Sequence, residues 1–494
     1  MSINSVNSAM IQSLISMRSQ FTDLQQQLSS GQKSQTYAGL GVGSGLTVSL
    51  NAQLSAINGF NNSIDMAMTR VGLAQNALSS VGNIGDTVKS LVLEGNTTGG
   101  NADTAQLTAQ SSLQQILGLL NTQSGNGYIF SGNAPDQPSV ASYDVIMNGD
   151  GTRAGLTQLI SERNQADLGA SGLGRLTLST AGSTVSVAED AVSPFGFKLA
   201  GVNSSLSNAT VTGPSGSPSA LSVNFTGAPN NGDAITLNFN LPDGTTQNLT
   251  LTATTQSPPG ANQFTIGATP AATAANFQSA LTTSLGTLAA TSLTAASAMA
   301  ASNDFFNADT SNPPQRVSGP PFNTATSLTA GTAANTVIWY TGDAGTGSAR
   351  STASARIDPN LVVSYGTRAN ETALRNLVQN VATLAAVTVS PTSPNASGLS
   401  TALGQRLSTA MSGAPGVQTV SDIETELAGA QASMSSSKST HQQTSATLTN
   451  MLQGITGVSN EQVGAELLSL QNQMAATMQT TALLYQTSLV NYIK

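Results

Sequence analysis

Apolar heptad seams at both ends of the chain restrict its fold more than any other feature. In NSAMIQSLISMRSQFTDLQQQLSSG (Asn7 to Gly31), the residues Met10, Leu14, Met17, Phe21, Leu24 and Leu28 recur at alternating spacings of four and three. The positions between them are almost all Ser, Gln, Asn, Thr or Asp. This spacing predicts an amphipathic helix whose stripe needs a partner, because an isolated helix buries nothing and gains little from propensity alone. The other end supplies candidates: EQVGAELLSLQNQMAATMQTTALLYQTSLVNYIK places Val463, Leu467, Leu470 and Met474 on one helical face.

Between these rods the pattern changes twice. After YAGLGVGSG (Tyr37 to Gly45), Leu50, Ile57, Ile64, Val71 and Leu78 recur every seven residues and predict a helix of roughly 60 Å at 1.5 Å per residue. A turn is expected at EGNTTGGNAD (Glu94 to Asp103), followed by a shorter helix through Ala109, Leu113, Ile116 and Leu120. From about Val140 to Pro359 short β-prone runs alternate with Gly, Pro, Asn and Asp. The clearest is a hairpin over Ala234 to Ala253 with a Pro-Asp-Gly turn; QFTIG and NTVIWYTG read as further strands, and TAANFQSALTTSL as a short helix. Helical spacing resumes with Leu374, Leu377, Val381 and Leu384, then with Ile423, Leu427, Met434 and Leu448.

The expected fold is therefore α+β. Long antiparallel terminal helices form a coiled-coil-like rod with an inserted, mostly β outer region. The terminal segments are 1–35 and 456–494, the rod core 36–140 and 360–455, and the insertion 141–359.

Only 8% of residues are charged, against a usual share of about 25%. Neutral polar residues must therefore form the surface, as is common in exported proteins. A formal net charge of −8 with 16 Lys and Arg spread thinly gives no footprint for nucleic acid or an anionic membrane. With no cysteine and a single histidine, His441, disulfides, thiolate sites and multi-histidine sites are excluded. MSINSVNSAMIQ lacks the basic and apolar regions of a secretory signal, and no apolar run is long enough to suggest a membrane span.

No motif here carries catalytic chemistry. GLGVGSG follows a heptad helix instead of the strand a dinucleotide loop requires, so it reads as a joint between helices. His441 lies in a helical pattern and reads as a packed side chain, while Asp422, Glu424 and Glu426 read as a solvated helix start. No cofactor or metal site is expected.

The heptad termini, LSSG (Leu28 to Gly31), the long second helix and YIFSG (Tyr128, Ile129, Phe130, Ser131 and Gly132) together resemble the flagellin superfamily. VSYGTRANETALRNLV (Val363 to Val378) is similar to the return into the helical core in its alphaproteobacterial branch. QTYAGLGVGSGLTVSLNAQ stands where ordinary flagellins continue with charged residues and paired Asp, so the likeness is strongest to the hook-filament junction type, hook-associated protein 3. The long insertion keeps filament flagellin as the alternative. A secreted adhesin or glycan-binding protein acting through the β insertion, whose polar β surface would include Trp339 and Tyr340, is a reading of another class, although Trp339 also suits a core position.

The resemblance implies a non-enzymatic, extracellular structural subunit, exported through the flagellar type III apparatus without cleavage. It further implies self-assembly with neighbouring axial proteins and an export chaperone, with no nucleic-acid partner and no membrane insertion.

Overall fold

The computed structural model describes residues 3–98 and 102–492. Three helices come first, α1 (Ile3–Ser30), α2 (Ser44–Thr98) and α3 (Ala102–Leu120), then the short strands β1 (Gln123–Ser124) and β2 (Gly127–Tyr128). Helices α4 (Tyr143–Asn148) and α5 (Leu156–Leu168) precede β3 (Leu176–Ala181), β4 (Thr184–Glu189), β5 (Lys198–Ser204), β6 (Ala209–Ser215) and β7 (Ala220–Phe225). There follow β8 (Ala234–Asn240), β9 (Thr246–Thr254), β10 (Gln263–Thr265), α6 (Pro270–Leu288) and α7 (Thr294–Asn307). The chain continues through β11 (Arg316–Val317), β12 (Leu328–Thr329), β13 (Ser354–Asp358) and β14 (Leu361–Ser364). It closes with α8 (Thr372–Ala386), α9 (Ala396–Met411), α10 (Val420–Thr456) and α11 (Asn460–Tyr492). The fold is α+β, with a mostly β middle region flanked by helices.

Two compact units divide the chain. Unit 1 comprises residues Met1–Met66, Ala355–Val363 and Ala432–Lys494, and unit 2 comprises Ala67–Ser354 and Ser364–Gln431. The expected terminal segments fall in unit 1, the expected rod core and insertion are each divided between the two units, and the hairpin β13–β14 spans the expected border at 359/360.

Unit 2 holds two four-stranded sheets, ordered β3-β4-β7-β6 and β10-β9-β8-β5. Strands β4, β7 and β8 alternate between buried and half-buried positions, which is the period of two that places one face of a strand in a core. Val187, Val223 and Phe225 of the first sheet share one core with Ile235, Leu237 and Phe239 of the second and with Phe277, Leu281 and Leu285 of α6. The expected hairpin is β8–β9, in register Ile235↔Leu251 and Leu237↔Leu249.

Three local readings need correction. NTVIWYTG forms no strand, because its ends bridge different segments, Ala154↔Thr336 and Val140↔Tyr340. Trp339 between them is fully buried, and its indole N–H donates to the Phe306 carbonyl at 2.9 Å. The short helix expected after QFTIG begins as α6, passes through a π turn at Ala289–Leu293 and continues as α7 to Asn307. The buried residues of α7 are Ala295, Ala296, Ser297, Ala298, Ala301 and Ser302, small side chains that allow close approach of helices but leave little periodic hydrophobicity to read, and then Phe305 and Phe306 together at its end. Finally, α2 runs to Thr98 and α3 begins at Ala102, so helix occupies most of the turn expected at Glu94 to Asp103; residues 99–101 lie outside the described residues.

Helix α7 packs on α5, α8 and α9. The insertion therefore packs directly on the returning helices, and excising it would uncover the face of α8 that meets α7.

Several charges of unit 2 are paired in its interior. Arg163 pairs with Asp167 at 2.9 Å, Arg368 with Asp343 at 2.9 Å and Arg406 with Asp243 at 2.8 Å, while Arg316 pairs with Glu162. Asp167 is fully buried and also accepts from the Gly196 N–H at 2.8 Å. Burial raises its pKa, and the adjacent Arg163 guanidinium opposes that rise. A carboxyl with a raised folded pKa contributes stability below its unfolded value and loses it as pH rises through the folded value. Wild type should therefore gain stability relative to Asp167→Asn as pH falls from about 7 to about 4. Thermal midpoints followed by the emission of Trp339 test this, and a gap that stays constant or shrinks on acidification would contradict it.

Candidate assembly surface

Glycine sets the end of the first rod. Gly31 has φ +68°, and its N–H donates to the Gln27 carbonyl at 2.8 Å, so α1 stops in a left-handed cap that a side chain would strain. The chain then pairs with the turn between α10 and α11. Lys33 N–H donates to the Thr456 carbonyl at 2.7 Å, and Val458 N–H to the Gly31 carbonyl at 3.1 Å. On the far side of that turn, Ser459 accepts from the Gln462 N–H at 3.3 Å and starts α11.

This clasp sets α1 and α11 side by side and antiparallel. Near the other end of the pair the Thr481 hydroxyl lies 3.8 Å from the Met10 sulfur. Met10, Leu14, Met17, Phe21 and Leu24 are half-buried on α1, as are Leu467 and Met474 on α11, while Val463 and Leu470 are buried. Leu28 departs from the expected seam. At the last turn of α1 the neighbour is the 456–458 turn instead of a helix, and Leu28 is left 41% exposed.

The other two long helices meet in the same antiparallel sense within unit 1. Lys438 of α10 pairs with Asp65 of α2, and His441 shares a 3.0 Å hydrogen bond through Nδ1 with Asn61 Oδ1. The His441 ring lies 6.0 Å from that of Phe60, and its Nε2 lies 3.9 Å from a carboxylate oxygen of Asp358 on β13. It is a packed histidine of the rod. Leu50, Ile64, Met434 and Leu448 are buried and Ile57 is half-buried; in unit 2, Val71, Leu78, Ile423 and Leu427 are buried.

The rods nevertheless remain largely uncovered. No described side chain of α1 is buried, and on α11 Val463 and Leu470 are the only described ones that are. Of the 19 large apolar side chains exposed among the described residues, 15 lie in unit 1, although it is the smaller unit. Ile11 and Ile15 form a second stripe on α1; Leu468, Met478 and Tyr485 are exposed on α11, and Tyr37, Val42, Leu46 and Val48 around the start of α2. Scattered single apolar residues on a surface are ordinary, whereas such a concentration marks a surface that meets another.

The signature Tyr128 to Gly132 lies in unit 2 and joins the two halves of the chain. Phe130 is fully buried, and its carbonyl accepts from Ala369 N–H at 2.8 Å. Asp343 N–H donates to the Ser131 carbonyl at 2.8 Å, Gly132 N–H to the Thr367 carbonyl at 3.2 Å and the Thr367 hydroxyl to the Ile129 carbonyl at 2.5 Å. The Ser131 hydroxyl closes the turn on the Tyr128 carbonyl at 3.0 Å. Around this seam Arg350 binds Glu371 and, at 2.8 Å, Glu426. Composition alone does not single out Arg350; the signal in the sequence is its partner Glu371, which ends GTRANE where the chain returns to the helical region.

Asp422 accepts from both the N–H and the hydroxyl of Thr419 at 2.8 Å, while Thr419 accepts from Asp422 N–H at 3.2 Å. These bonds lower the Asp422 pKa and make the acidic start of α10 a reciprocal cap. Residues 37–43 form a 3-10 turn that leads directly into α2, with Gly41 at φ 55°.

A helical pair that covers one apolar stripe and presents another can bury more only by adding further helices. Residues 1–135, comprising α1 to α3 and the signature turn, match the family described as the bacterial flagellin N-terminal helical region. This match supports the flagellin superfamily, whose members are structural subunits of the flagellum and not enzymes. No curated protein matches the chain. No helix among the described residues is long and apolar enough to cross a membrane.

Gly132 has φ +66°, and a Cβ there would lie 3.0 Å from Asp343 Cβ and 3.1 Å from Arg368 Nε. Gly132→Ala should cost about 1–3 kcal/mol through backbone strain and crowding. Urea unfolding followed by Trp339 emission measures it, and an unchanged midpoint would show that the turn relaxes freely.

Proposed function

We propose that the chain is a structural, non-enzymatic subunit of the bacterial flagellum, the hook-filament junction protein, assembling through α1 and α11. The observation that carries this reading is the second apolar stripe on those helices, left exposed after they have paired with each other. On this reading the neighbours are further copies and adjacent axial proteins. The subunit reaches them by flagellar type III export, held by a chaperone until its stripe is covered.

Filament flagellin is the second reading, supported by the length of the middle region. Purified flagellin should grow long filaments, whereas a junction subunit should stop at a ring or short collar. Labelled antibody on intact flagella separates the two: label along the filament would reject the junction assignment. The adhesin reading loses its basis in Trp339 and Tyr340, since both rings are buried.

The two stripes make different demands on a mutant. Ile15 is 64% exposed, so Ile15→Ser should leave monomer stability within about 0.5 kcal/mol while assembly fails. Phe21 is half-buried against α11, so Phe21→Ala should weaken both the helical pair and the polymer, by about 2–5 kcal/mol where the site is well packed. Normal polymerisation by Ile15→Ser would remove the outer stripe from the interface and defeat the mechanism.

A further inference from the structure

A second surface of the molecule, in unit 2, differs in chemistry from the rods. In unit 2 a cleft of about 570 Å³ opens between the β8–β9 turn, α7, α8 and α9. Its size falls within the range of about 300–1,000 Å³ of small-molecule sites.

The charges in its wall are already neutralised. Arg406 Nε binds Asp243 at 2.8 Å, its Nη1 donates to the Ala402 carbonyl at 3.0 Å, and the two side chains are only 11% and 8% exposed. Arg163, also in the wall, is paired with Asp167. The cleft therefore offers no net charge to hold an ion.

It offers planar amides instead. Gln247, Gln379 and Gln405 line it together with the hydroxyls of Thr246 and Thr409. Gln379 is 8% exposed, and its Oε1 has no hydrogen-bond partner in the chain. A buried amide oxygen without a partner is an exception that calls for an explanation. As placed, the oxygen is shielded from the cleft; half a turn of the amide brings it to the cleft in place of the nitrogen, and a hydroxyl, which can both donate and accept, pairs with whichever atom faces it. Pro242, Met299 and Ala300 add apolar surface to the same cleft.

Neutral amides, a rigid Arg–Asp pair and an apolar patch suit a compact molecule with hydroxyls along its edges and C–H groups on its face. We propose that this cleft binds a neutral saccharide. The site does not involve Trp339, which is buried elsewhere in unit 2, and it is independent of the assembly role of α1 and α11.

The test applies the full chain to an array of neutral and acidic oligosaccharides, then titrates the strongest neutral one calorimetrically. Binding should be detected and should weaken about tenfold in Gln379→Leu, the loss expected for one ordinary hydrogen bond. Gln405→Ala changes an exposed side chain and so avoids a folding defect; it should weaken binding in the same direction, with Trp339 emission and the thermal midpoint unchanged. Absence of binding to every neutral oligosaccharide would overturn the proposal, as would binding confined to acidic ones or unaffected by either substitution.

Discussion

The pairing of the two chain ends governs what the rest of unit 1 presents to its surroundings. Helix α1 carries apolar residues on two adjacent stripes, and α11 covers only the one running from Met10 to Leu24. The backbone bonds between 31–33 and 456–458 fix the register of the pair, and the register decides which stripe is covered. Once that choice is made, Ile11 and Ile15 must remain outside. Exposure of the outer stripe is thus a consequence of how the inner one is buried.

Unit 2 answers the same scarcity of charge in the opposite way. In a chain that is 8% charged, Arg163, Arg316, Arg368 and Arg406 are each committed to a buried or half-buried pair with a carboxylate. Removing one partner from such a pair leaves a buried charge uncompensated, so these pairs tie distant segments together even where they add little net stability. Arg406 fastens α9 to the β8–β9 turn, and Arg350 fastens the 349–352 turn to α8 and α10. Neutral hydroxyls and amides then cover the exterior.

Much of the helical framework was legible because long helices repeat their signal. Leu50, Ile64, Val71 and Leu78 fall on one face over many turns, and all four are buried. The β8–β9 hairpin was legible because its alternation and its Pro-Asp-Gly turn agree. Helix α7 was not, since alanine and serine fill most of its buried face and its two large buried residues, Phe305 and Phe306, are adjacent at one end, without the repeated contrast in hydrophobicity that periodicity needs. Trp339 looked like a strand residue because β propensity describes a half-buried pleated surface, whereas its position is set by the Phe306 carbonyl and the aromatic rings around it. Leu28 kept the heptad spacing but lost its partner where α10 turns into α11. Spacing specifies a face; the partner's path decides how far that face is covered.

The same reasoning explains why a preformed pair of rods suits an assembling subunit, on the function proposed here. Had α1 and α11 remained separate chains of unpaired residues, each docking event would have to order dozens of backbone angles, at a cost that scales with the length ordered. With the inner stripe already covered, α1 offers a surface whose residues are held in place before contact. Part of the ordering cost is then met within one copy, and the free energy of burying Ile11, Ile15 and Leu468 can go into holding neighbours together. The partial exposure of Phe21 and Leu467 sets the limit: the pair is tight enough to define the outer stripe, yet it leaves apolar area that only further helices can cover.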